Sequence, residues 1–200
     1  MNRREVLEKA ALVLGYAITG PTLVGVMSGC KAAPELNYKP VFFTEDQARV
    51  IAEVAEVILP RTTTPGAKDV GVPSFIDNML KEVYLEKDQE SFIQGLIGFD
   101  EEAKKSKGDN FVNLDAEEQV AFVKEQQAKA LEGGAGSGSQ GWWNTGGGND
   151  RPFILRVKEL TILGFFTSQA GATEVLQYNP VPGPYQGCVP LEKVGKAWAT

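Results

Sequence analysis

Residues 152–167 have the sequence PFILRVKELTILGFFT, the most apolar helical pattern in the body of the chain. A proline at the first position already has the φ angle of a helix, so we expect a helix to begin at Pro152. Apolar side chains fall on nearly every side of this helix, which is typical of a helix with neighbours all around it. They are Phe153, Ile154, Val157, Leu160, Ile162, Leu163, Phe165 and Phe166. The segment therefore predicts a central helix around which the fold is built.

Helices that precede this segment carry recognisable start and stop patterns. Thr44 and Gln47 have the spacing of a capping box. Apolar residues follow at i, i+3, i+4 and i+7, so a first helix is predicted that ends before Pro60. Pro73 begins a second predicted helix, and Asp88 is expected to cap a third.

Two further helices complete the prediction. Asp115 with Glu118 gives a fourth start of the capping-box kind, and a short sixth helix is expected over residues 172–178. No segment of useful length alternates apolar and polar residues as a half-buried strand does. The sequence therefore predicts an all-α fold, a single-domain bundle of about five to six helices with an extended Pro/Gly-rich C-terminal strip.

Residues 133–150, GGAGSGSQGWWNTGGGND, interrupt the predicted helices. Residues 136–141 formally match the G-x-G-x-x-G pattern of dinucleotide-binding loops. That pattern needs a strand before it and a helix after it, whereas here a predicted helix precedes it and more glycine follows. We interpret the segment as a Gly/Ser/Trp-rich loop, and we expect Trp142 and Trp143 to hold its middle onto a surface.

The composition of the 200-residue chain excludes several classes of function. Its 42% hydrophobic and 23% charged residues suit one globular domain. The net charge of -6 is spread along the chain without a basic stripe, which argues against nucleic-acid binding. Histidine, the commonest general base and metal ligand, is absent, and two cysteines are too few for a thiolate zinc site or an iron–sulfur cluster. We expect no catalytic, cofactor-binding or metal-binding residues in this chain.

The first 29 residues have the pattern of an export signal. Arg3 and Arg4 precede a moderately apolar stretch over residues 10–26, which is the twin-arginine pattern, with ordinary secretion as the alternative. Residues 27–30, MSGC, resemble a bacterial lipobox, in which Cys30 is acylated. We expect residues 1–29 to be a signal peptide, 30–43 a tether and 44–200 the helical domain. The mature protein would then be lipid-anchored on the periplasmic side of the cell envelope.

The C-terminal strip, which we define as residues 178–198, contains the sequence NPVPGPYQGCVPL at residues 179–191. Its prolines fix φ and remove backbone donors, so this part can be neither a helix nor a central strand. The strip either wraps the chain's own helices or binds a partner, and aromatic side chains suit both. The residues predicted for a partner interface are Tyr178, Pro182, Tyr185, Cys188 and Trp198.

Several strings of residues match a known family. Residues 160–191 contain LT at 160–161, GFFTS at 164–168, Gly171, Tyr178 and the Pro, Gly, Tyr and Cys residues of the strip. Residues 58–77 contain ILP, TPGA and GVP, followed by FID. With these strings the chain resembles the gluconate 2-dehydrogenase subunit 3 family over residues 44–198.

The resemblance implies a small, non-catalytic subunit of a membrane-bound sugar or sugar-acid dehydrogenase. Its partners would be a large FAD-containing flavoprotein of the glucose–methanol–choline type and, often, a multihaem cytochrome c that carries haem c. In this family the small subunit carries the twin-arginine signal, and the flavoprotein is exported with it. The expected role is therefore export, folding and membrane attachment of the flavoprotein.

Two other functions remain open on the sequence. The chain could complete an active site or an electron path of the complex through Tyr185, Trp142, Trp143 or Cys188. It could instead be a free-standing helical envelope lipoprotein that binds a ligand or scaffolds partners. Cys188 is expected to be a buried, inert thiol, with a disulfide to the partner subunit or to Cys30 as alternatives, and a bond to Cys30 would rule out the lipobox.

Overall fold

The computed structural model describes residues 36–132, 151–178, 181, 183–184 and 187–199. Within these ranges the chain forms helices and no strand, apart from one isolated bridge. The α-helices are α1 (Glu45–Ile58), α2 (Val72–Glu82), α3 (Glu86–Lys107), α4 (Ala116–Glu132), α5 (Phe153–Thr167) and the short α6 (Leu191–Val194). A 3-10 turn (Phe111–Asn113) precedes α4, and a π-helical turn (Gly171–Val175) follows α5. The predicted all-α fold is confirmed.

Helix α1 begins with the predicted capping box. The Gln47 backbone N–H donates to Thr44 Oγ1 at 3.3 Å, and the Thr44 backbone N–H donates to Gln47 Oε1 at 3.0 Å. Two N–H groups that the helix itself cannot satisfy therefore have acceptors. The apolar face of α1 is buried, with Ile51 and Val54 fully so.

Helix α5 is central, as its composition predicts. It contacts α1, α2, α3 and α4 as well as the π-helical turn. Phenylalanine rings extend the core away from it: Phe92 lies 5.2 Å from Phe153, and Phe99 lies 5.0 Å from Phe122, between ring centroids. These edge-to-face pairs join α3, α4 and α5, and such pairs add to the stabilisation from burial alone. Ile162 departs from the prediction because its side chain is exposed.

Two predicted helix boundaries are wrong. Helix α3 begins at Glu86 after Leu85, whose side chain makes no capping hydrogen bond, and Asp88 lies in the first turn and is buried. The helix predicted over residues 172–178 is replaced by the π-helical turn, which ends at Val175. The backbone is extended at Leu176, so Gln177 can pair with the far end of the strip.

Residues 36–43, assigned to the tether on the sequence, pack against the helical domain. Leu36, Tyr38 and Phe42 are half-buried against the core, and Phe43 is buried. The carboxylate of Asp77 on α2 accepts three backbone N–H groups, from Val41 at 2.7 Å and from Phe42 and Phe43 at 3.1 and 2.9 Å. We call this arrangement the Asp77 clasp. It fixes the chain that leads into α1.

Several predicted features lie outside the described residues. They are the export signal with Arg3 and Arg4, the lipobox Cys30, the Gly/Ser/Trp loop with Trp142 and Trp143, and the strip residues Pro182 and Tyr185. Among the helices that are described, none has both the length and the apolar composition to cross a membrane.

Candidate partner-binding surface

The C-terminal strip is closed at its base by backbone hydrogen bonds. The Gln177 N–H donates to the Ala197 carbonyl at 2.8 Å, and the Ala199 N–H donates to the Gln177 carbonyl at 3.0 Å. These two bonds form a parallel bridge between Gln177 and Trp198. Lys196 Nζ adds a contact of 3.3 Å to the carbonyl of Glu174 in the π-helical turn. The two ends of the strip are therefore held together.

Large apolar side chains of the strip are exposed. Tyr178 is 61% exposed, Val181 78% and Trp198 42%. The helical core does not cover these side chains, so a partner protein can reach them. Tyrosine and tryptophan are the residues that most often carry the binding energy of protein interfaces.

The thiol of Cys188 is exposed and forms no disulfide with any residue that the structure describes. The expectation that Cys188 is a buried thiol is therefore wrong. The physical reason is that the strip around it, at Gly187 and Pro190, also lies at the surface and provides no apolar cover.

A polar cleft of about 700 Å³ lies beside the base of the strip. One wall is the loop at residues 61–70 between α1 and α2, and the other is the turn at residues 168–174 that follows α5. We call it the threonine cleft because of the hydroxyl groups along it. Its lining consists of Arg61, Thr62, Thr63, Thr64, Pro65, Asp69, Val70, Ser168, Gln169, Ala170, Thr173 and Glu174.

Two carboxylates hold the first wall in shape. Glu56 at the end of α1 accepts the backbone N–H groups of Arg61 and Lys68, one on each oxygen and both at 2.9 Å. Asp69 accepts the Gly66 N–H at 2.9 Å and pairs with the Arg61 side chain at 3.3 Å. A Cβ atom at Gly66 would lie 2.7 Å from the backbone nitrogen of Arg61, which cannot move aside easily, so this position favours glycine.

The second wall is fixed by hydroxyl groups that bond to backbone. Ser168 Oγ donates to the Phe165 carbonyl at 2.6 Å and accepts the Gly171 N–H at 3.1 Å. Thr173 Oγ1 donates to the Gln169 carbonyl at 2.8 Å. At Gly171 a Cβ atom would overlap the carbonyl oxygen of Phe165, which is backbone and cannot move aside easily. Both walls are thus shaped before any partner binds.

The threonine cleft joins two strings that were separate in the sequence. The TPGA string at residues 64–67 forms part of the first wall, and the GFFTS string at residues 164–168 leads into the second. These strings are among those on which the family resemblance depends. The sequence did not predict their contact, because nothing local relates residues so far apart in the chain.

Buried charged groups lie elsewhere, between the helices. Arg156 on α5 donates to the Asp88 carbonyl at 2.9 Å and to Ser91 Oγ at 3.2 Å, and its guanidinium lies 5.0 Å from the Phe92 ring centroid. Burial lowers the pKa of Arg156 and raises the pKa of the nearby Tyr84. These bonds hold α5 against α3, so the role of Arg156 is to stabilise the fold.

Metal binding by the described part of the chain has no support. Nowhere in those ranges do three or more Asp, Glu or Cys side chains come together as an ion would need. The buried carboxylate of Asp77 is already surrounded by the backbone N–H groups of residues 41–43. The described surface does offer exposed aromatic side chains and a hydroxyl-lined cleft.

Comparison with known proteins gives one result. The model of the family described as gluconate 2-dehydrogenase subunit 3 matches residues 45–183, which is well over half of the chain. No curated protein and no solved structure matches the chain. The matched range includes helices α1 to α5, the threonine cleft and the first part of the C-terminal strip. The chain therefore belongs to the gluconate 2-dehydrogenase subunit 3 family, whose members are accessory subunits of a dehydrogenase complex.

Proposed function

We propose that this chain is the non-catalytic small subunit of a periplasmic, FAD-dependent sugar dehydrogenase of the gluconate 2-dehydrogenase kind. It serves the export, folding and membrane attachment of a large flavoprotein of the glucose–methanol–choline type, and a cytochrome c subunit with haem c completes the complex. Family membership over residues 45–183 carries the proposal. The absence of histidine from the sequence supports a role without catalysis, since acid–base work then falls to groups that need special burial.

Association with the flavoprotein is the central step of the proposal. The exposed Tyr178 and Trp198 support it, because an aromatic side chain gains most when a partner surface removes it from water. Co-expression of both subunits, followed by purification through a tag on this chain, should recover the flavoprotein with its FAD. A flavoprotein that folds, is exported and turns over equally well without this chain would contradict the proposal.

The strip can be tested against a matched exposed residue. Replacement of both Tyr178 and Trp198 by serine should weaken co-purification about tenfold or more, since each buried aromatic anchor contributes on the order of 1–2 kcal/mol. The control is Leu85→Ser, which removes a large side chain of comparable exposure from the start of α3. Equal loss with the control would mean that general surface apolarity, and not the strip, determines binding.

The proposed role in export depends on the flavoprotein binding its FAD before it crosses the membrane. FAD is loaded by a folded protein in the cytoplasm, so the complex must cross the membrane folded, and one twin-arginine signal on a bound partner is sufficient. Replacement of Arg3 and Arg4 by lysine should leave the flavoprotein in the cytoplasmic fraction. Lys9→Arg, a change in the same segment outside the arginine pair, should leave its export intact.

Membrane attachment depends on Cys30. Acylation at this residue would place the complex in the membrane fraction, and several acyl chains are needed for stable attachment. Cys30→Ser should release the complex into the soluble periplasmic fraction, with the acyl mass lost from the N-terminal peptide. A peptide that joins Cys30 to Cys188 through a disulfide would contradict the lipid anchor. Purification of the wild-type chain as a stable monomer without flavoprotein would favour the free-standing lipoprotein instead.

A further inference from the structure

We infer that the threonine cleft receives an extended, neutral-to-basic segment of the large dehydrogenase subunit, beside the aromatic side chains of the C-terminal strip. The inference rests on the proposed function and specifies which face of this chain carries the partner. It is argued from the shape of the cleft, its chemistry and its position.

The cleft is preorganised. Glu56 and Asp69 fix one wall through backbone N–H groups, and Ser168 fixes the other through the Phe165 carbonyl and the Gly171 N–H. A site that keeps its shape without a ligand loses little conformational entropy when a ligand binds. The chain's own core does not fill the space, since the loop and the turn remain apart around a volume of about 700 Å³.

The lining suits an extended peptide more than a compact apolar ligand. Threonine and serine hydroxyls donate and accept hydrogen bonds, and Gln169 adds an amide. An extended segment presents a row of backbone N–H and C=O groups that match such a surface. Among the charged residues of the lining, Arg61 is paired with Asp69, while Glu174 adds a further negative charge. That balance favours a segment without acidic residues.

The cleft adjoins the base of the strip. Glu174 lines the cleft, and its carbonyl accepts the Lys196 ammonium group at the base of the strip. Gln177, three residues further on, pairs with Trp198, and Tyr178 follows it directly. The exposed Tyr178 and Trp198 are therefore connected through the backbone to a residue that lines the polar groove. Protein interfaces have the same arrangement, in which a few aromatic anchors are surrounded by hydrogen-bonding groups.

The experiment uses variants of the full chain that either fill the cleft with a large side chain or reverse a charge in its lining. Thr63→Trp places a large side chain on an exposed lining position, and Glu174→Arg reverses a charge without altering the carbonyl that Lys196 contacts. The controls are Ala121→Trp on α4 and Glu101→Arg on α3, the same new side chains at exposed positions outside the cleft. Binding of each variant to the purified FAD-loaded large subunit is measured by surface plasmon resonance, and folding by circular dichroism.

We expect both cleft variants to bind about tenfold or more weakly than wild type, and both controls within about twofold, with unchanged thermal midpoints. Cleft variants that bind as wild type does, while Tyr178→Ser and Trp198→Ser weaken binding, would overturn the inference and leave the proposed function standing. A wild-type chain that does not bind the large subunit would overturn the proposed function, and the inference with it.

Discussion

Asp77 is a single carboxylate on which eight residues of packed chain depend. Its side chain is 1% exposed, and it accepts the N–H groups of Val41, Phe42 and Phe43. Hydrogen bonds to a charged acceptor are stronger than those between neutral groups. The bonds also compensate for the loss of water around a buried charge. Residues 36–43 are therefore held on the helical domain by one side chain on α2 together with the packing of Phe43 and its apolar neighbours.

Asp77→Asn should destabilise the protein. Asparagine offers one acceptor oxygen where the carboxylate offers two, so at least one buried N–H loses its partner. The expected loss is about 2 kcal/mol in the free energy of unfolding, measured by urea denaturation. Glu101→Gln, the same kind of change at an exposed position on α3, should leave the stability unaltered. An Asp77→Asn protein as stable as wild type would show that the clasp is not important for folding.

Tyr38 lies close to the same carboxylate and should make stability depend on alkaline pH. Burial, and secondly the negative charge of Asp77, raises the pKa of Tyr38 above its usual value of about 10. The folded protein therefore holds the phenolic proton more tightly than the unfolded chain does. The stabilisation is fully present below pH 10 and is lost as the pH rises further.

Tyr38→Phe should reduce that alkaline loss. The Tyr38 hydroxyl oxygen has no hydrogen-bond partner among the described residues, so its removal should not lower stability at pH 7. Unfolding free energies of both proteins, compared from pH 8 to pH 11, should fall less steeply for the variant. Burial also raises the pKa of Tyr84, so the unfolding free energy of both proteins should still fall with rising pH because of Tyr84. Parallel curves would mean that Tyr38 ionises without effect on folding.

At the scale of elements, the loop at residues 61–70 is held by Glu56 of α1 as well as by its own Asp69. Glu56 should therefore contribute to the order of that loop. In Glu56→Gln one of the Arg61 and Lys68 N–H groups faces an amide nitrogen in place of an acceptor oxygen. We expect the exchange of at least one of these two amide protons with solvent to accelerate about fivefold or more.

The matched control for this loop is Glu53→Gln. Glu53 lies on the same helix and pairs with the side chain of Lys68, with Nζ and Oε1 2.6 Å apart, and so contacts the same residue through a different group. Its replacement should leave both backbone amide protons protected. If amide exchange accelerates equally in the two variants, the negative charge on α1, and not the hydrogen bonds of Glu56, orders the loop.

Elements with local determinants could be predicted from the sequence. The Thr44 capping box and the all-round apolar pattern of α5 specify their helices without reference to distant residues, and both predictions are confirmed. The start of α3 could not be predicted, because Leu85 carries no capping group. Asp88, a residue type that often caps helices, lies three residues further on and predicts a later start instead. The end of the π-helical turn could not be predicted either, since Gln177 is held by the distant Ala197.

The candidate site was predicted in part for the same reason. The sequence left open whether the Pro-rich segment wraps the chain's own helices or binds a partner, and in the structure Tyr178 and Trp198 are exposed. The threonine cleft has no equivalent pattern, because it exists only when a loop before α2 meets a turn after α5. Arg156 was also missed, since one charged residue in an apolar helix gives no indication of the carbonyl and hydroxyl that will receive it.

At the scale of the whole molecule, the chain has almost no group that titrates near neutral pH. Histidine is absent from the sequence. We therefore expect the free energy of unfolding to change by less than about 0.5 kcal/mol between pH 6 and pH 8. Urea denaturation at three pH values in this range would measure it. A larger change would reveal a carboxyl or thiol group with an unusual pKa.

The Asp77 clasp also determines where mechanical load enters the domain. A force that pulls on the chain before residue 36, as a moving membrane would exert on a lipid-anchored protein, reaches Val41, Phe42 and Phe43 before it reaches α1. Three neighbouring N–H groups then share the load on one carboxylate. Helix α1, with the Glu56 side chain that shapes the cleft, is shielded from tension until those bonds have broken. If the chain is the membrane-attached subunit proposed above, force from the membrane would reach the helical domain without distorting the threonine cleft.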